Sequence, residues 1–379
     1  MKKVDFIVIF LIMIFGSIYY IRYQAIESYF GHILAPDTKA KAHILVLWGR
    51  GVGEEELLAR MKIAASNNQI QLSHLSTRPR FWQRIWLNNP TKEAIDRSQP
   101  DFIFSLQQEV DPVPGIPNYL WLSQCEKDLR EEFKADPALV ERMRGYDGFL
   151  LAFDDHGDIK PLFSEYGLST KIGRWVPSVY QGGFKEIERK HLFYCGANWD
   201  KKRSGGDYQE MFKRMDETGY LKVYGLPSKW KHTPRSFGGY LPSDGISLLS
   251  AMSDCGIALI LHSEAHLKAG ATSSRIFEAS ATSCVTISDP HPFVKKYFGD
   301  NVFYLNTDQK GPELFIQIES YINWIRSHPK EANEMALNCY KIASNLFSLE
   351  GQLKILVDFH QETDVQFANT PSQPTAQAT

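Results

Sequence analysis

The sequence lacks most of the patterns that define common catalytic and metal-binding motifs. Its five cysteines, Cys125, Cys195, Cys255, Cys284 and Cys339, form no CxxC pair, which argues against a metal cluster or a disulfide framework. Several lie in apolar, strand-like segments, so we expect buried free thiols. No P-loop, HExxH motif or Ser/His/Asp nucleophile elbow is present. The formal net charge is only −2, which argues against a dedicated nucleic-acid-binding protein.

The length and composition are those of an ordinary globular protein. The chain has 379 residues, of which 43% are hydrophobic and 23% charged. Such a chain is long enough for two or three domains, each with its own core.

One apolar segment, Phe6 to Ile21, lies near the amino terminus between two lysines and Arg22. At about 1.5 Å per residue it falls somewhat short of a hydrocarbon core of about 30 Å. No A-x-A cleavage pattern follows it. We therefore predict a single-pass signal anchor over residues 1–24, with a cleaved signal peptide as the alternative. Lys2 and Lys3 favour an amino terminus inside, but the side of the membrane stays open.

The second half of the chain alternates short apolar runs with helical patterns, which indicates βαβ units and a parallel sheet. The predicted strands lie near 192–195, 221–225, 256–262, 284–289 and 301–306. Ligands of such sheets bind beyond the carboxyl ends of the strands. The basic loop after Cys195 and a helix start near Thr272 both fall at that edge.

The most informative segment, Ala269 to Asp289, has the pattern of a loop, a short helix and a buried strand. Its residues 272–274 are good N-cap residues, and a helix amino terminus suits a phosphate. Arg275 and Glu278 then lie on one helix face. The Glu278 carboxylate, one helical turn below bound phosphates, would be well placed to accept hydrogen bonds from the hydroxyls of a ribose. The alternative is an ordinary crossover helix with a surface ion pair.

These segments together resemble the nucleotide-binding half of glycosyltransferases with the GT-B fold. The resemblance covers roughly residues 192–307 and rests on GANWDKKR, VYG, GGYL, ALILH and SSRIFEASATS. Within this class, the segments most resemble the spore-maturation CgeB-like / glycosyl transferases group 1 family. It implies a hexosyltransferase-like enzyme that uses a nucleotide sugar as co-substrate and no other cofactor.

The resemblance also implies a donor site. Its residues would be Lys202, Arg203, Gly239, Tyr240, Leu241, Ser273, Ser274, Arg275 and Glu278. Glu278 would bind the ribose, while Arg275 and the Ser273–Ser274 amides would face the diphosphate. Lys202 or Arg203 would add positive charge, and the backbone of Gly239–Leu241 would border the base.

Two positions depart from the family pattern. Many retaining relatives carry a second glutamate eight residues before the ribose-binding one, where this chain has Gly270. The glycine that usually ends A-x-A-x-G is Ser283 here, which we interpret as a packing change. The first departure leaves the stereochemical course and the sugar contacts open.

The first half of the chain has the pattern of a second α/β unit. Strands are predicted near 43–48, 100–106, 118–123 and 146–153. Gly49, Gly51 and Gly53 follow the first strand, but they do not complete G-x-G-x-x-G, so we predict a loop facing the cleft. In a GT-B enzyme this half would bind the acceptor. The breakers in Gly173 to Gly183 mark the linker.

Two further clusters allow alternative interpretations. Phe153 to Asp158, FDDHGD, could be a D-x-D metal site, although polar turns after strands commonly collect aspartate and glycine. His156 in this turn is a candidate general base, because imidazole titrates near neutrality; a plain surface histidine is the alternative. Phe81, Trp82, Ile85 and Trp86 lie at helical spacing and favour a buried helix face over a sugar-binding platform.

We therefore predict an α/β protein with two Rossmann-like domains facing across a cleft, preceded by a membrane anchor. The predicted segments are an anchor at 1–24, an acceptor domain at 25–180, a nucleotide-sugar domain at 181–348, a final helix at 349–365 and a low-complexity tail at 366–379. The predicted activity is metal-independent transfer of a sugar from a nucleotide sugar to a hydroxyl of a glycan, lipid or protein. The alternatives are a metal-dependent D-x-D glycosyltransferase and a non-catalytic, membrane-anchored nucleotide-sugar-binding protein.

Overall fold

The protein is built on two separate six-stranded sheets, and every strand pair in both of them is parallel. The structure is a computed structural model that describes residues 3–49, 51–153, 159–196, 200–201 and 203–362, with the backbone alone for residues 3–12, Val52 and Trp82. The predicted α/β class with two parallel sheets is confirmed.

The first sheet has the strand order β2-β1-β3-β4-β5-β6. Its strands are β1 (Ala42–Trp48), β2 (Ile70–Ser76), β3 (Phe102–Ser105), β4 (Asn118–Leu122), β5 (Gly148–Leu151) and β6 (Ile172–Arg174). Most of these strands are short apolar runs, whereas β2 alternates apolar with polar residues, and nearly all residues of the six strands are buried. Continuous burial is what a parallel sheet covered by helices on both faces requires.

Helices connect and cover these strands. They are α1 (Lys3–Phe30), α2 (Val52–Asn67), α3 (Phe81–Arg84), α4 (Pro90–Ser98), α5 (Glu126–Ala135), α6 (Pro137–Arg144) and α7 (Ile159–Glu165). The glycine-rich loop before α2 is held by side chains, because the Gly51 N–H donates to Glu54 Oε2 at 3.0 Å. Gln107 Nε2 in turn donates to Glu54 Oε1 at 2.6 Å.

The second sheet has the order β12-β11-β10-β7-β8-β9. Its strands are β7 (His191–Cys195), β8 (Leu221–Tyr224), β9 (Phe237–Gly239), β10 (Gly256–Ile260), β11 (Val285–Ser288) and β12 (Phe303–Tyr304). The helices of this half are α8 (Gly206–Thr218), α9 (Ser247–Cys255), α10 (Glu264–Ala269), α11 (Arg275–Ala281), α12 (Pro292–Phe298), α13 (Gly311–Ser327) and α14 (Pro329–Phe347). All five cysteines of the chain are free thiols.

The last helix, α15 (Leu349–Gln361), returns to the first half of the chain. Leu349, Leu353 and Leu356 are fully buried in the same cluster as strand β1 and helix α2. The interdomain linker follows this helix closely, since Val176 N–H donates to Gln352 Oε1 at 2.9 Å. The chain therefore crosses between the two sheets twice.

Helix α1 packs its last turn on the first sheet, where Tyr29 and Phe30 are buried. Among the residues that the structure describes, no helix combines the length and apolar character needed to cross a membrane. Part of the predicted anchor, residues 6–12, has side chains outside that description. The expected burial of α3 is wrong for two positions, because Phe81 and Ile85 are 81% and 63% exposed. Helix α3 is a single short turn lying against α1, and α1 leaves these two side chains uncovered.

Candidate functional site

The candidate site lies where the second sheet changes direction. The chain adds β8 and β9 on one side of β7 and then β10 and β11 on the other, so β7 and β10 are neighbours with diverging connections. Such a switch point opens a crevice beyond the carboxyl ends of the two strands, where parallel α/β sheets bind ligands. The segments after β7 and β10 both carry residues predicted for the donor site.

Helix α11 begins at Arg275 with Ser274 as its N-cap, where the sequence predicted a helix start. Ser273 Oγ accepts from the Arg275 N–H at 3.3 Å. The Arg275 side chain reaches across the crevice, and its Nε donates to the Cys195 carbonyl at 3.4 Å. Arg275 thus joins the carboxyl end of β7 to the segment after β10.

Glu278 lies one turn into α11 and is completely buried. Its Oε2 accepts from Arg275 Nη1, and its Oε1 accepts from Ser274 Oγ at 3.2 Å. The alternative of a surface ion pair is wrong for this residue, because a side chain from a helix of the other half covers it. Burial alone would raise the pKa of Glu278, but Arg275 and Arg60 outweigh it and lower the pKa to about 2.

The residue that covers Glu278 is Arg60 of helix α2. Its Nη1 donates to Glu278 Oε1 at 2.6 Å, and its Nη2 donates to Glu56 Oε1 at 2.6 Å. Two arginines and two glutamates from the two halves of the chain therefore form one buried charge network. Burial raises the pKa of Glu56 even though Arg60 opposes it.

Arg60 and Glu56 were absent from the predicted site. Their i, i+4 spacing on a helix is the usual pattern of an exposed ion pair, and nothing local marks it as an interdomain contact. The one sequence signal for these two residues was their position on the helix after the first predicted strand, because the loop that joins that strand to the helix was predicted to face the cleft.

Arg203 lies on the loop after β7, on the side of β10. Its Nη1 is 3.4 Å from the Leu261 carbonyl oxygen, directly after β10. Its Nε is buried and has no hydrogen-bond partner among the described residues. The guanidinium therefore has an unused donor at the switch point. Lys202, the other predicted cation, lies outside the described residues.

The predicted border of the base, Gly239–Leu241, follows β9 at the far end of the sheet. The Gly225 N–H donates to the Gly239 carbonyl at 3.0 Å, which ties this segment to the end of β8. Gly239 has φ +97°, a conformation that favours glycine. Tyr240 is 49% exposed, while Leu241 packs against the core.

Comparison with known proteins identifies the general class of this domain. The family described as glycosyl transferase-like matches residues 202–357. That region contains α11, Arg203 and the Gly239–Leu241 segment. Residues 202–357 thus form a glycosyltransferase-like domain, and the chain as a whole has the GT-B fold. The predicted enzyme class is confirmed at this level, whereas the resemblance to the CgeB-like group remains a prediction.

Solved structures support the same fold at low sequence identity. The chain is similar to a putative UDP-N-acetylglucosamine 2-epimerase from Listeria monocytogenes, with 11% identity, a TM-score of 0.52 and coverage of 86% of this chain and 98% of that one. It is also similar to a glycosyltransferase from Rickettsia africae ESF-5, with 10% identity and a TM-score of 0.51, over 85% of this chain and 98% of that one. The spinosyn forosaminyltransferase SpnP matches with 10% identity and a TM-score of 0.50, over 85% of this chain and 100% of that one.

Other comparisons add little. The chain spans 55% of the length of TarM at a TM-score of 0.47, a likeness too low to carry an argument. No curated protein matches the chain significantly. Because the structural matches include an epimerase, they establish the fold of the chain and do not define its substrates.

A histidine network supports the loop that precedes α11, and the sequence did not predict it. His262, directly after β10, is buried with Nδ1 2.5 Å from Asp289 Oδ1. Its Nε2 lies 3.1 Å from Thr272 Oγ1. A carboxylate only accepts hydrogen bonds, so Nδ1 carries a hydrogen and donates to Asp289. The network thereby joins the ends of β10 and β11 to the loop that precedes α11.

Two neighbouring histidines add no charge to the crevice. Burial lowers the pKa of His291 to about 4, and burial likewise lowers the pKa of His266 to about 4. Both are therefore neutral at physiological pH. The positive charge in the described part of the site comes from Arg275, Arg203 and Arg60.

Neither the predicted base nor the alternative metal site can be placed. His156 and the aspartates of 154–158 lie outside the described residues. Within the described part of the chain, no group of three or more His, Cys, Asp or Glu side chains could hold a metal ion.

Gly270, where many retaining relatives have a glutamate, ends α10 with φ +69°. A side chain there would be strained, so the local backbone differs from one that accepts glutamate.

Proposed function

We propose that the chain transfers a sugar from a nucleotide-sugar donor to an acceptor hydroxyl on a glycan, lipid or protein, without a metal or another cofactor. The observation that carries the proposal is that Arg203 bonds to the chain after β10, while Arg275, paired with Glu278, bonds to the end of the neighbouring strand β7. Two cations and one carboxylate in the crevice beyond these strands match the diphosphate and the ribose of a nucleotide sugar.

The departing nucleoside diphosphate is the group that needs stabilisation in this reaction. Negative charge builds up on its phosphate oxygens as the bond to the sugar breaks. Arg275 and Arg203 would hydrogen-bond to that charge, as would the amides of Ser273–Ser274. Lys202 would add a further positive charge. Donors fixed before the reaction need no reorganisation during it, so these residues can replace a divalent cation.

The ribose and base would lie on either side of this diphosphate. Glu278 would accept hydrogen bonds from the ribose hydroxyls, and the backbone of Gly239–Leu241 would border the base. On the acceptor side, His156 would remove the proton from the attacking hydroxyl. The first domain would bind the acceptor.

The test combines nucleotide binding with turnover. We expect Glu278→Gln to weaken binding of the preferred nucleoside diphosphate by about 1–3 kcal/mol, because ribose hydroxyls lose a charged acceptor. Calorimetry on a panel of UDP, GDP, ADP and dTDP measures this. The control is Glu313→Gln, at an exposed position on α13. Unchanged affinity in Glu278→Gln would remove the ribose assignment.

Product analysis separates transfer from the alternatives. Transfer releases nucleoside diphosphate and joins the sugar to the acceptor. A non-catalytic binding protein would bind donor but release no diphosphate with any acceptor. Release without an acceptor would instead indicate hydrolysis of the donor, with water taking the sugar.

Metal independence is tested with a chelator. Activity should persist in excess EDTA, and Asp155→Asn should change turnover little. A D-x-D enzyme needs a carboxylate-bound cation across both phosphates. Loss of turnover in EDTA with rescue by manganese would move the site to residues 154–158 and overturn the proposal.

We also propose that the amino-terminal helix holds the protein at a membrane. Helix α1 exposes Phe15 and Tyr19, at 67% and 71%, and Phe81 and Ile85 continue this apolar surface onto α3. Exposed arginines flank the second pair: Arg78, Arg80 and Arg84. Apolar rings with flanking cations suit the surface of a bilayer that contains anionic lipid.

Vesicle flotation tests this surface. The full chain should float with vesicles that contain phosphatidylglycerol, and Phe81→Ser with Ile85→Ser should lower the bound fraction. Ile316→Ser is the control, because Ile316 is 61% exposed on α13 in the other half. Failure of the wild-type chain to float would contradict the proposal.

A further inference from the structure

We propose that Arg60 competes with the donor ribose for Glu278, so that donor binding requires helix α2 to move away from helix α11. The inference rests on the proposed function, in which Glu278 binds the ribose. It assigns to the donor site a residue of the opposite domain that neither the family pattern nor the proposed function includes.

The competition follows from the way Glu278 is occupied. Its side chain has 0% exposure, and both of its oxygens already accept hydrogen bonds from Arg60, Arg275 and Ser274. A ribose hydroxyl must approach to about 2.7 Å to donate a hydrogen bond. Arg275 and Ser274 belong to the same loop and helix as Glu278, so they can stay in place. Arg60 belongs to the other domain and is the partner that can leave.

The Arg60 contact is also incompletely satisfied. Its Nε is buried and has no hydrogen-bond partner among the described residues. The carboxylate of its second partner, Glu56, is itself disfavoured by burial, which raises the pKa of that group. A buried ion pair with an unused donor gives little net stabilisation, since desolvation offsets much of the attraction. Such a contact can be exchanged for a ligand.

The position of Arg60 makes the exchange an interdomain movement. It lies on α2, and the loop at Gly245 of the second domain packs directly against it. A methyl group added to Gly245 would lie 3.2 Å from Arg60 Cγ. The Arg60 side chain is also only 2% exposed, so its guanidinium has little free space to enter while α2 stays fixed. Separation of α2 from α11 is therefore coupled to entry of the ribose.

The test uses Arg60→Met and the double variant Arg60→Met with Glu56→Gln. The methionine keeps the apolar volume of the stem, and the second change removes the carboxylate that would otherwise be left unpaired. Arg214→Met is the matched control, because Arg214 pairs with Glu210 at the same i, i+4 spacing on the exposed surface of α8. Affinities for UDP, GDP, ADP and dTDP are measured by calorimetry on folded full-length protein.

We expect both Arg60 variants to bind the preferred nucleoside diphosphate about tenfold more tightly, or about 1.4 kcal/mol. Uridine or the matching nucleoside should gain as much, because the competition concerns the ribose. Glu278→Gln added to the double variant should abolish the gain. Arg214→Met should bind as the wild-type chain does.

The other outcomes distinguish the two proposals. If Glu278→Gln weakens binding but the Arg60 variants bind more weakly or equally, the competition is wrong and the ribose assignment stands. If Glu278→Gln has no effect on affinity, the ribose assignment fails and the competition fails with it. If no nucleoside diphosphate binds the wild-type chain, the competition still predicts that one binds the double variant. If none binds the double variant either, the competition and the ribose assignment are both overturned.

Discussion

At the scale of single residues, Glu278 shows how an environment changes the chemistry of a common side chain. A carboxylate without access to water is unstable unless cations replace the lost hydration. Here Arg275 and Arg60 approach it from two different domains. The sign of its pKa shift therefore depends on a contact between domains.

This arrangement predicts how stability depends on pH. The pKa of Glu278 falls from 4.5 to about 2 on folding, so its ionisation stabilises the protein above pH 4.5 and this contribution is lost as pH falls toward 2. The shift corresponds to about 3 kcal/mol at pH 7, of which about 2 kcal/mol is lost by pH 3.

We expect the difference in unfolding free energy between the wild-type chain and Glu278→Gln to narrow by about that amount between pH 7 and pH 3. Urea unfolding at several pH values measures it, with Glu313→Gln as the exposed control. A pH-independent difference would show that folding does not shift the pKa of Glu278.

Arg203 allows a prediction that separates a role in binding phosphate from a structural one. Its Nε is buried and has no partner among the described residues. Arg203→Gln should weaken diphosphate binding more than nucleoside binding, by about 1.5–3 kcal/mol for a lost charged hydrogen bond. Calorimetry with UDP and uridine, or the pair for the preferred base, tests this against Arg214→Gln. Equal losses for both ligands would assign Arg203 a structural role.

At the scale of secondary structure, the turn after α11 explains one departure from the family pattern. Ser283 has φ +60°, in the left-handed region where glycine is favoured. The family glycine therefore has a backbone reason, which corrects the interpretation as a packing change. Ser283 also has a use for its side chain, because Ser283 Oγ accepts from the Lys185 N–H at 2.9 Å.

Two substitutions at this turn should differ in stability. Ser283→Gly loses the hydrogen bond but relieves strain of about 1–2 kcal/mol, so it should stay within about 1 kcal/mol of the wild-type chain. Ser283→Ala loses the hydrogen bond and keeps the strain, and should be destabilised by about 1 kcal/mol. Denaturant unfolding compares them; an alanine variant as stable as the glycine variant would contradict the argument.

Helix α15 is the element whose role is least apparent from its sequence. Leu353 has no exposure and packs in the core of the first domain, although it follows the whole second domain in the chain. Leu353→Ala should lower the unfolding free energy by about 2–5 kcal/mol. Ile316→Ala, at a 61% exposed position, should change it little. Urea denaturation of both variants tests this, and equal effects would argue that α15 is peripheral.

At the scale of the whole molecule, two chain crossings and one buried charge network join the domains. The linker and α15 are tied together by backbone and side-chain hydrogen bonds, including that from Leu349 N–H to the Val179 carbonyl at 2.9 Å. They suit a hinge that absorbs a change in domain angle. The Arg60–Glu278 pair is a further link between the two halves, at the part of the interface that the proposed exchange would open.

The sequence by itself determined what depends on neighbouring residues. Short apolar runs predicted nine of the twelve strands that the structure describes, and small polar residues before Arg275 predicted the start of α11. The three missed strands are β2, which alternates with polar residues, and the three-residue strands β6 and β9. The predicted features follow from local burial patterns and from the unpaired N–H groups of a helix end. The resemblance to GT-B enzymes rested on the same local signals.

Only the tertiary structure decided which distant residues meet. Arg60 and Glu278 are 218 positions apart and share a 2.6 Å hydrogen bond. Helix α15 packs in the core of the first domain, although the whole second domain lies between them in the sequence. Such contacts leave no periodic signal, because an i, i+4 ion pair or an amphipathic helix has the same pattern whatever it packs against. The relative placement of two separately folded sheets therefore decided that Glu278 is buried and that Arg60 is its partner.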